Sequence, residues 1–422
     1  MFKKNKEIIS WSLYDWANST FSTTVMAGFF PLFFKQYWST ATDVTVSTWY
    51  LGLANSAASV LVASLAPFLG AIADKASVKK KLLIFFAFIG VISTGSLSIV
   101  SQGQWKIAII FYVIASIGFM SANIFYDSLL PSVASYKKRD FVSSLGYALG
   151  YIGGAILFLI NVTMYLNPKF YGITDAATAI KLSFLTVAIW WAIFSIPILI
   201  FVKEPSVQND LGVIKSIKLG WSQLVSTIQS IRELKIVTTF LIAYWLYIDG
   251  VDTMIRMSVD YGTSLGFSSS SLITALLMVQ FIAFPATLAY SWFAGKIGIK
   301  NGILVGIIGY AMISILGSMV SREWHFYALA ALIACFQGGI QALSRSLYSK
   351  IIPESRSAEF FGFYNMFGKF AAIIGPPLMG YIGLITGNPR YGILSIIILF
   401  IFGGYFLIKV DVEEGERLAR EY

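Results

Sequence analysis

One cysteine and one histidine stand among 422 residues, and only 12% of the chain is charged. Cys335 alone cannot build a disulfide framework or a thiolate zinc site, and His325 alone excludes a multi-histidine metal centre. No Gly-x4-Gly-Lys-Ser/Thr stretch occurs, so the chain has no phosphate-cradling loop for direct use of ATP. Apolar residues are abundant instead: 57% of the chain is hydrophobic, 16% is aromatic, and the mean hydropathy is +0.74. These values exclude a water-soluble globule. No metal and no cofactor is expected.

At about 20 apolar residues per bilayer crossing, the length accommodates roughly a dozen spans and no separate soluble domain. Apolar runs lie near 11–37, 49–73, 82–100, 105–130, 141–166 and 180–202, and again near 236–259, 272–293, 303–320, 326–348, 360–386 and 391–408. The first run is too long for a signal peptide and lacks a small-residue cleavage site behind it. Three regions follow: a six-helix half over 1–202, a linker over 203–235, and a second six-helix half over 236–422. In the linker, apolar residues such as Leu211, Ile214, Trp221, Leu224 and Ile228 recur at helical spacing, which predicts an amphipathic helix on the inner leaflet.

Twelve spans place both termini on one side. On that side, loops and tails hold 22 Lys and Arg; the opposite loops hold five, and four fall within spans. The positive-inside rule then makes the terminal side cytoplasmic and turns the net charge of +10 into an orientation signal rather than a nucleic-acid footprint. The two halves read as copies. A shift of 222 residues superposes Pro131 on Pro353, Gly146 on Gly368 and Gly153 on Gly375. Duplicated six-span halves are a standard transporter construction, with the substrate held between them near mid-membrane.

The loop after the second span reads Gly70-Ala-Ile-Ala-Asp74-Lys75, followed by Lys79, Lys80 and Lys81. It resembles the inner-loop signature of the major facilitator superfamily. Three further stretches are similar to the vacuole-effluxer branch of that superfamily: Ser10-Trp-Ser-Leu-Tyr-Asp-Trp-Ala-Asn-Ser19; Tyr247-Ile-Asp-Gly250; and Gln337-Gly-Gly-Ile-Gln-Ala-Leu-Ser-Arg345 with Glu359-Phe-Phe-Gly-Phe-Tyr364. The resemblance implies an all-α integral membrane protein, with twelve transmembrane helices in two pseudo-symmetric halves, and a link to amino-acid efflux through its fungal members. The second half departs from the signature, with Gly295-Lys-Ile-Gly298 and no acid matching Asp74. Gly70, Asp74 and Lys75 are candidates for a gating loop; a pure topology anchor is the alternative.

Seven charges lie inside spans away from their last turn: Asp15, Asp127, Asp249, Asp252, Arg256, Arg345 and Lys369. At ~2.5–3.5 kcal/mol each, all seven facing lipid would cost on the order of 20 kcal/mol, more than a typical fold's whole stability, so they face the interior. Asp249, Asp252 and Arg256 share one face of span seven at what the sequence places as middle depth. Two readings are open: a zwitterion site, with Arg256 on a carboxylate and an aspartate on an ammonium group, or an internal Asp252–Arg256 pair that neutralises itself. Arg345, with Asp127 or Asp15 from the other half, forms a candidate inner gate, and Asn123 occupies the repeat position of Arg345. Lys369 is a candidate cation for the substrate or a partner for Asp15 or Asp127. Tyr14, Tyr244, Tyr247 and Gln341 are candidate cavity residues, although aromatic residues near span ends also serve as interface anchors. The glycines of spans five and eleven, Gly146, Gly150, Gly153, Gly154, Gly362, Gly368, Gly375 and Gly380, read as packing surfaces, and Pro376 and Pro377 as a kink. Cys335 reads as packing and His325 as a solvated loop residue.

The function expected is secondary active transport of a small polar or zwitterionic, amino-acid-like solute by alternating access in the cytoplasmic (inner) membrane, by a monomer. A transport-fold receptor is the alternative, ahead of a membrane-embedded enzyme. Four buried acids face three buried bases, leaving one carboxylate without a cation. That surplus suggests proton coupling at Asp249, then Asp252; sodium or a cationic substrate would neutralise it equally.

Overall fold

The computed structural model describes residues 2–40, 44–204, 235–370 and 374–421. The amphipathic helix expected within 203–235 lies outside the described residues, apart from 203–204 and 235. Among the described residues there is no strand. The first half holds α1 (Phe2–Thr20), which continues through wider turns to Trp38, then α2 (Val44–Ala76), α3 (Lys79–Ser96), α4 (Trp105–Ser128), α5 (Arg139–Leu166) and α6 (Ala176–Phe201). The second half holds α7 (Lys235–Ser264), α8 (Ser269–Ile297), α9 (Ile299–Ser318) and α10 (Glu323–Ile351). Its eleventh span is two helices, α11 (Ser357–Phe370) and α12 (Gly375–Thr386), and its twelfth is α13 (Pro389–Ser395) with α14 (Ile397–Ile408). A short helix, α15 (Val412–Glu421), closes the chain. Pro376 and Pro377 stand in the first turn of α12, where a missing N–H costs nothing.

Ten helical stretches among the described residues are long and apolar enough to cross a bilayer. Spans one and seven, α1 with its continuation and α7, complete the twelve of the two six-helix halves. Each half has its own core: Trp11, Phe30, Tyr112, Phe184 and Trp191 in the first, Tyr247, Tyr310, Phe326, Leu343 and Phe400 in the second. Lipid offers no hydrophobic force between helices, so close approach at small residues has to supply the packing. A Cβ on Gly153 of α5 would stand 2.7 Å from the Trp16 carbonyl oxygen, and one on Gly118 of α4 would stand 2.7 Å from the Gly90 nitrogen. Exposed Phe85, Phe88 and Ile92 on α3, Ile193, Ile196 and Ile200 on α6, and Ile401 and Ile408 on α14 form the outer apolar surface.

The turn before α3, the turn after α10 and helix α15 gather at one end of the bundle, here the terminal end. Glu204 accepts from the Lys79 and Lys80 amides at the start of α3, at 2.7 and 3.1 Å. Lys300 donates to the Ile408 and Val410 carbonyls at the same end. At the far end, Asp175 caps α6 by accepting from the Thr178 amide at 2.8 Å, and that bond holds its carboxyl below the ordinary value.

Candidate functional site

Arg345 leaves the terminal half of α10 and is 2% exposed, wholly inside the first half's wall. Its Nη1 donates to Asp127 Oδ1 at 3.0 Å and to Asp15 Oδ2 at 3.5 Å, while Nε and Nη2 bind the Ser143 hydroxyl and carbonyl at 2.9 and 2.8 Å. The guanidinium plane also lies over the rings of Tyr147, Trp11 and Tyr126, at 4.3 to 5.4 Å. Asp15 accepts from the Tyr126 hydroxyl at 2.8 Å, and Asp127 from the Asn365 amide at 3.3 Å. Helices α1, α4, α5, α10 and α11 thus meet on one cation shared by two carboxylates. A planar fork of five donors suits this arrangement, which a lysine could not reproduce.

Gly146 makes the cluster possible. A Cβ there would stand 2.6 Å from Asp15 Oδ2 and 3.1 Å from Arg345 Nη2. Gly146 therefore does more than pack helices, whereas a Cβ on Gly380 would meet nothing within 4 Å and Gly380 has no packing role.

Nearer the terminal end lies a second layer of cross-half bonds. Asp74 accepts from the Ala358 and Glu359 amides at 3.2 and 2.8 Å, the buried N–H donors of the first turn of α11. It also pairs with Lys79 at 2.6 Å, and Lys79 donates to Ser357 Oγ. Gly70 lets this turn dock, because a Cβ there would run into the Ala358 carbonyl. Lys79 is the cation at Asp74, and Lys75 is exposed, which corrects the assignment of Lys75 to the gate. Arg139 binds Glu354 and the Ser349 carbonyl, and Asp140 binds Lys350 at 2.9 Å and Ser346 at 2.5 Å.

The cross-half hydrogen bonds and ion pairs described above lie between the terminal end and the middle of the bundle, where Tyr151 donates to Gln341 at 3.1 Å. Toward the far end, α7 and the continuation of α1 pack chiefly within their own halves. The bundle is closed at the terminal end.

Above the Arg345 cluster, polar side chains are only partly buried: Asn123, Gln341, Asp252 and Lys369. Asn18 donates to Asn123 at 2.5 Å. Asp252 and Arg256 are 3.7 Å apart, and the Arg256 side chain is 55% exposed. Since α7 begins at Lys235, Asp249 sits at its midpoint and Arg256 two turns nearer the far end, so the stripe climbs from mid-depth instead of staying there. A separate pocket in the second half, walled by Met254, Leu272, Phe326, Ile333 and Met379, is apolar and holds none of these charges.

Several sequence expectations change. Asp249 does not stand alone: it is fully buried and accepts from the Ile374 and Gly375 amides at 3.1 and 3.0 Å, capping α12. Tyr247 is buried in the second core with its hydroxyl on Ser344 at 2.7 Å, and Tyr244 stacks on Tyr364 at 4.1 Å. Tyr14 is fully buried against Tyr126. These rings are core because their faces turn toward their own half. Cys335 is exposed on α10, so it is not a packing residue. His325 accepts from the Ser321 amide at 3.2 Å. Ser143, Tyr126, Tyr147, Asn18 and Asn365 carry no charge to mark them in the sequence; Asn18 lies within the Ser10–Ser19 stretch, Tyr126 precedes Asp127 and Asn365 follows the Glu359–Tyr364 stretch, whereas Ser143 and Tyr147 adjoin no such signal.

A family model described as vacuole effluxer Atg22 like matches residues 42–420. The chain is similar to the MFS-type transporter YxiO of Bacillus subtilis, 39% identical over 430 residues that cover 100% of this chain and 98% of that protein. Autophagy-related protein 22 of Kluyveromyces lactis is 22% identical over 374 residues, 81% of this chain and 75% of that protein. The solved structure of the proton:xylose symporter XylE shares the fold with a TM-score of 0.74 at 14% identity, over 99% of this chain and 98% of the other. That of the human organic anion transporter MFSD10 does so with a TM-score of 0.72 at 13% identity, over 96% and 99%.

Proposed function

The chain belongs to the Atg22-like vacuole effluxer family of the major facilitator superfamily, and on that premise we propose that it carries a small polar, amino-acid-like solute across the cytoplasmic membrane by alternating access, with both termini inside. The observation that carries the reading is Arg345 of one half, held by Asp15 and Asp127 of the other. A buried ion pair is a poor source of net stability, but its parts are costly to separate without replacement partners. Such a contact suits a gate with two discrete states. In the closed terminal end the solute would enter from the far side, reach Asn123, Gln341, Asp252 and Lys369, and leave once the Arg345 layer opens.

Coupling to protons belongs at the same layer. Asp249 is the weaker candidate for the surplus acid, because its carboxylate accepts from two backbone N–H donors that favour its charged form. Asp15 and Asp127 share one guanidinium, and that layer carries one more negative charge than positive. A proton taken up there would neutralise it and loosen the hold on Arg345. The test is uptake into proteoliposomes of solutes first selected by thermal shift, driven by a pH gradient or by a sodium gradient alone. Accumulation with the pH gradient only, lost in Asp127→Asn, is the expected result. Accumulation driven by sodium alone, or no solute moved at all, overturns the coupling or the carrier reading respectively.

A further inference from the structure

The seven intramembrane charges divide unevenly. The Arg345 layer holds two acids and one base, and Asp249 is taken up by a helix cap. That leaves Asp252 with two cations, Arg256 and Lys369, in the space above the gate. Arg256 is 3.7 Å from Asp252, but Lys369 makes no hydrogen bond or ion pair among the described residues.

The direction of Lys369 follows from its helix. Ala358, Gly362, Asn365 and Lys369 form one stripe of α11 at spacings of four, three and four. Ala358 packs in the first half's core, a Cβ on Gly362 would stand 2.6 Å from the Ala66 carbonyl oxygen, and Asn365 binds Asp127. Lys369, one turn beyond Asn365, therefore continues the face turned to the first half. It lies directly above the gate, at the level of Asn123, which is one turn above Asp127 on α4. Asp252, Arg256 and Asp127 are all within its electrostatic reach.

An ammonium group at this depth is costly unless an anion or water meets it. We propose that Lys369 is the anchor for a carboxylate of the transported solute, with Arg256 as a shallower second contact. The inference deepens the carrier reading and rests on it for the word transported; the anion site itself does not. A lysine gives a compact point charge on a flexible stem, able to follow the carboxylate as access alternates.

The test uses Asn123→Cys in a Cys335→Ser background and compares an anionic sulfonatoethyl with a cationic trimethylammonioethyl methanethiosulfonate. A positive cavity draws in the anion, so the anionic reagent should react faster, by roughly tenfold. Lys369→Met should remove most of that preference and Lys369→Arg keep it, with unchanged thermal unfolding showing that the variants fold. A preference unaffected by Lys369→Met overturns the proposal. Labelling needs no transport, so its outcome is separable from a failure of the carrier reading. For any solute that is taken up, the corresponding amide should be refused; equal uptake of acid and amide also overturns it.

Discussion

Asp74 and Asp249 grip one transmembrane span at the first turns of its two helices. Asp74 reaches across from the first half to the Ala358 and Glu359 amides, and Asp249 reaches from α7 to those of Ile374 and Gly375. Both carboxylates satisfy N–H groups that a helix start leaves without partners, in the field where a negative charge is favoured. The first grip crosses the halves and must release if they rock. The second lies within one half and can persist.

Asp249→Ala should therefore act on stability. A lost cap costs about 1–2 kcal/mol, and Asp249→Asn should keep part of it because one amide oxygen remains to accept. Thermal unfolding of the purified protein reads this directly. Dependence of uptake on the pH gradient should survive in Asp249→Asn; its loss, with folding intact, would return the proton site to α7.

Arg345→Ala leaves Asp15 and Asp127 buried without a cation, a change worth about 3–5 kcal/mol against the closed arrangement. The terminal end should open. Ser128→Cys, buried where the Ser128 carbonyl accepts from Ser357 Oγ, should then react faster with an impermeant maleimide applied from that end. Unchanged labelling together with normal uptake would remove Arg345 from the gate.

Gly146→Ala places a methyl group 2.6 Å from the Asp15 carboxylate and should disturb the Asp15–Arg345 contact. Uptake should fall at least several-fold while the fold survives. Gly380→Ala, with open space around it, should stay within about 0.5 kcal/mol of the parent in stability, as surface changes generally do. Equal uptake by the two variants would show that Gly146 is only a packing residue.

Orientation is tested with single cysteines at two exposed positions, Ser101 at the far end and Lys138 at the terminal end, in a Cys335→Ser background. Intact cells should expose Ser101→Cys to an impermeant label and protect Lys138→Cys. The opposite pattern reverses the topology.

Composition and the positions of the apolar runs were enough for a membrane protein of twelve spans in two halves, because a bilayer demands long apolar helices and makes every intramembrane charge conspicuous. The same cost argument turns all seven intramembrane charges, Asp15, Asp127 and Arg345 among them, toward the interior. Spacing along a helix, however, says which residues share a face and not what that face meets. Asp249 and Lys369 show the limit. Read as a sum, the seven charges leave one acid over, and Asp249 is the one with no cation near it in the chain. Its partners are backbone amides more than 120 residues away, at the first turn of α12. The allocation of each buried charge depends on how helices from two halves rotate and cross, and that is decided by the packing of Gly70, Gly146 and Gly362 against their neighbours, contacts that only the folded chain brings together.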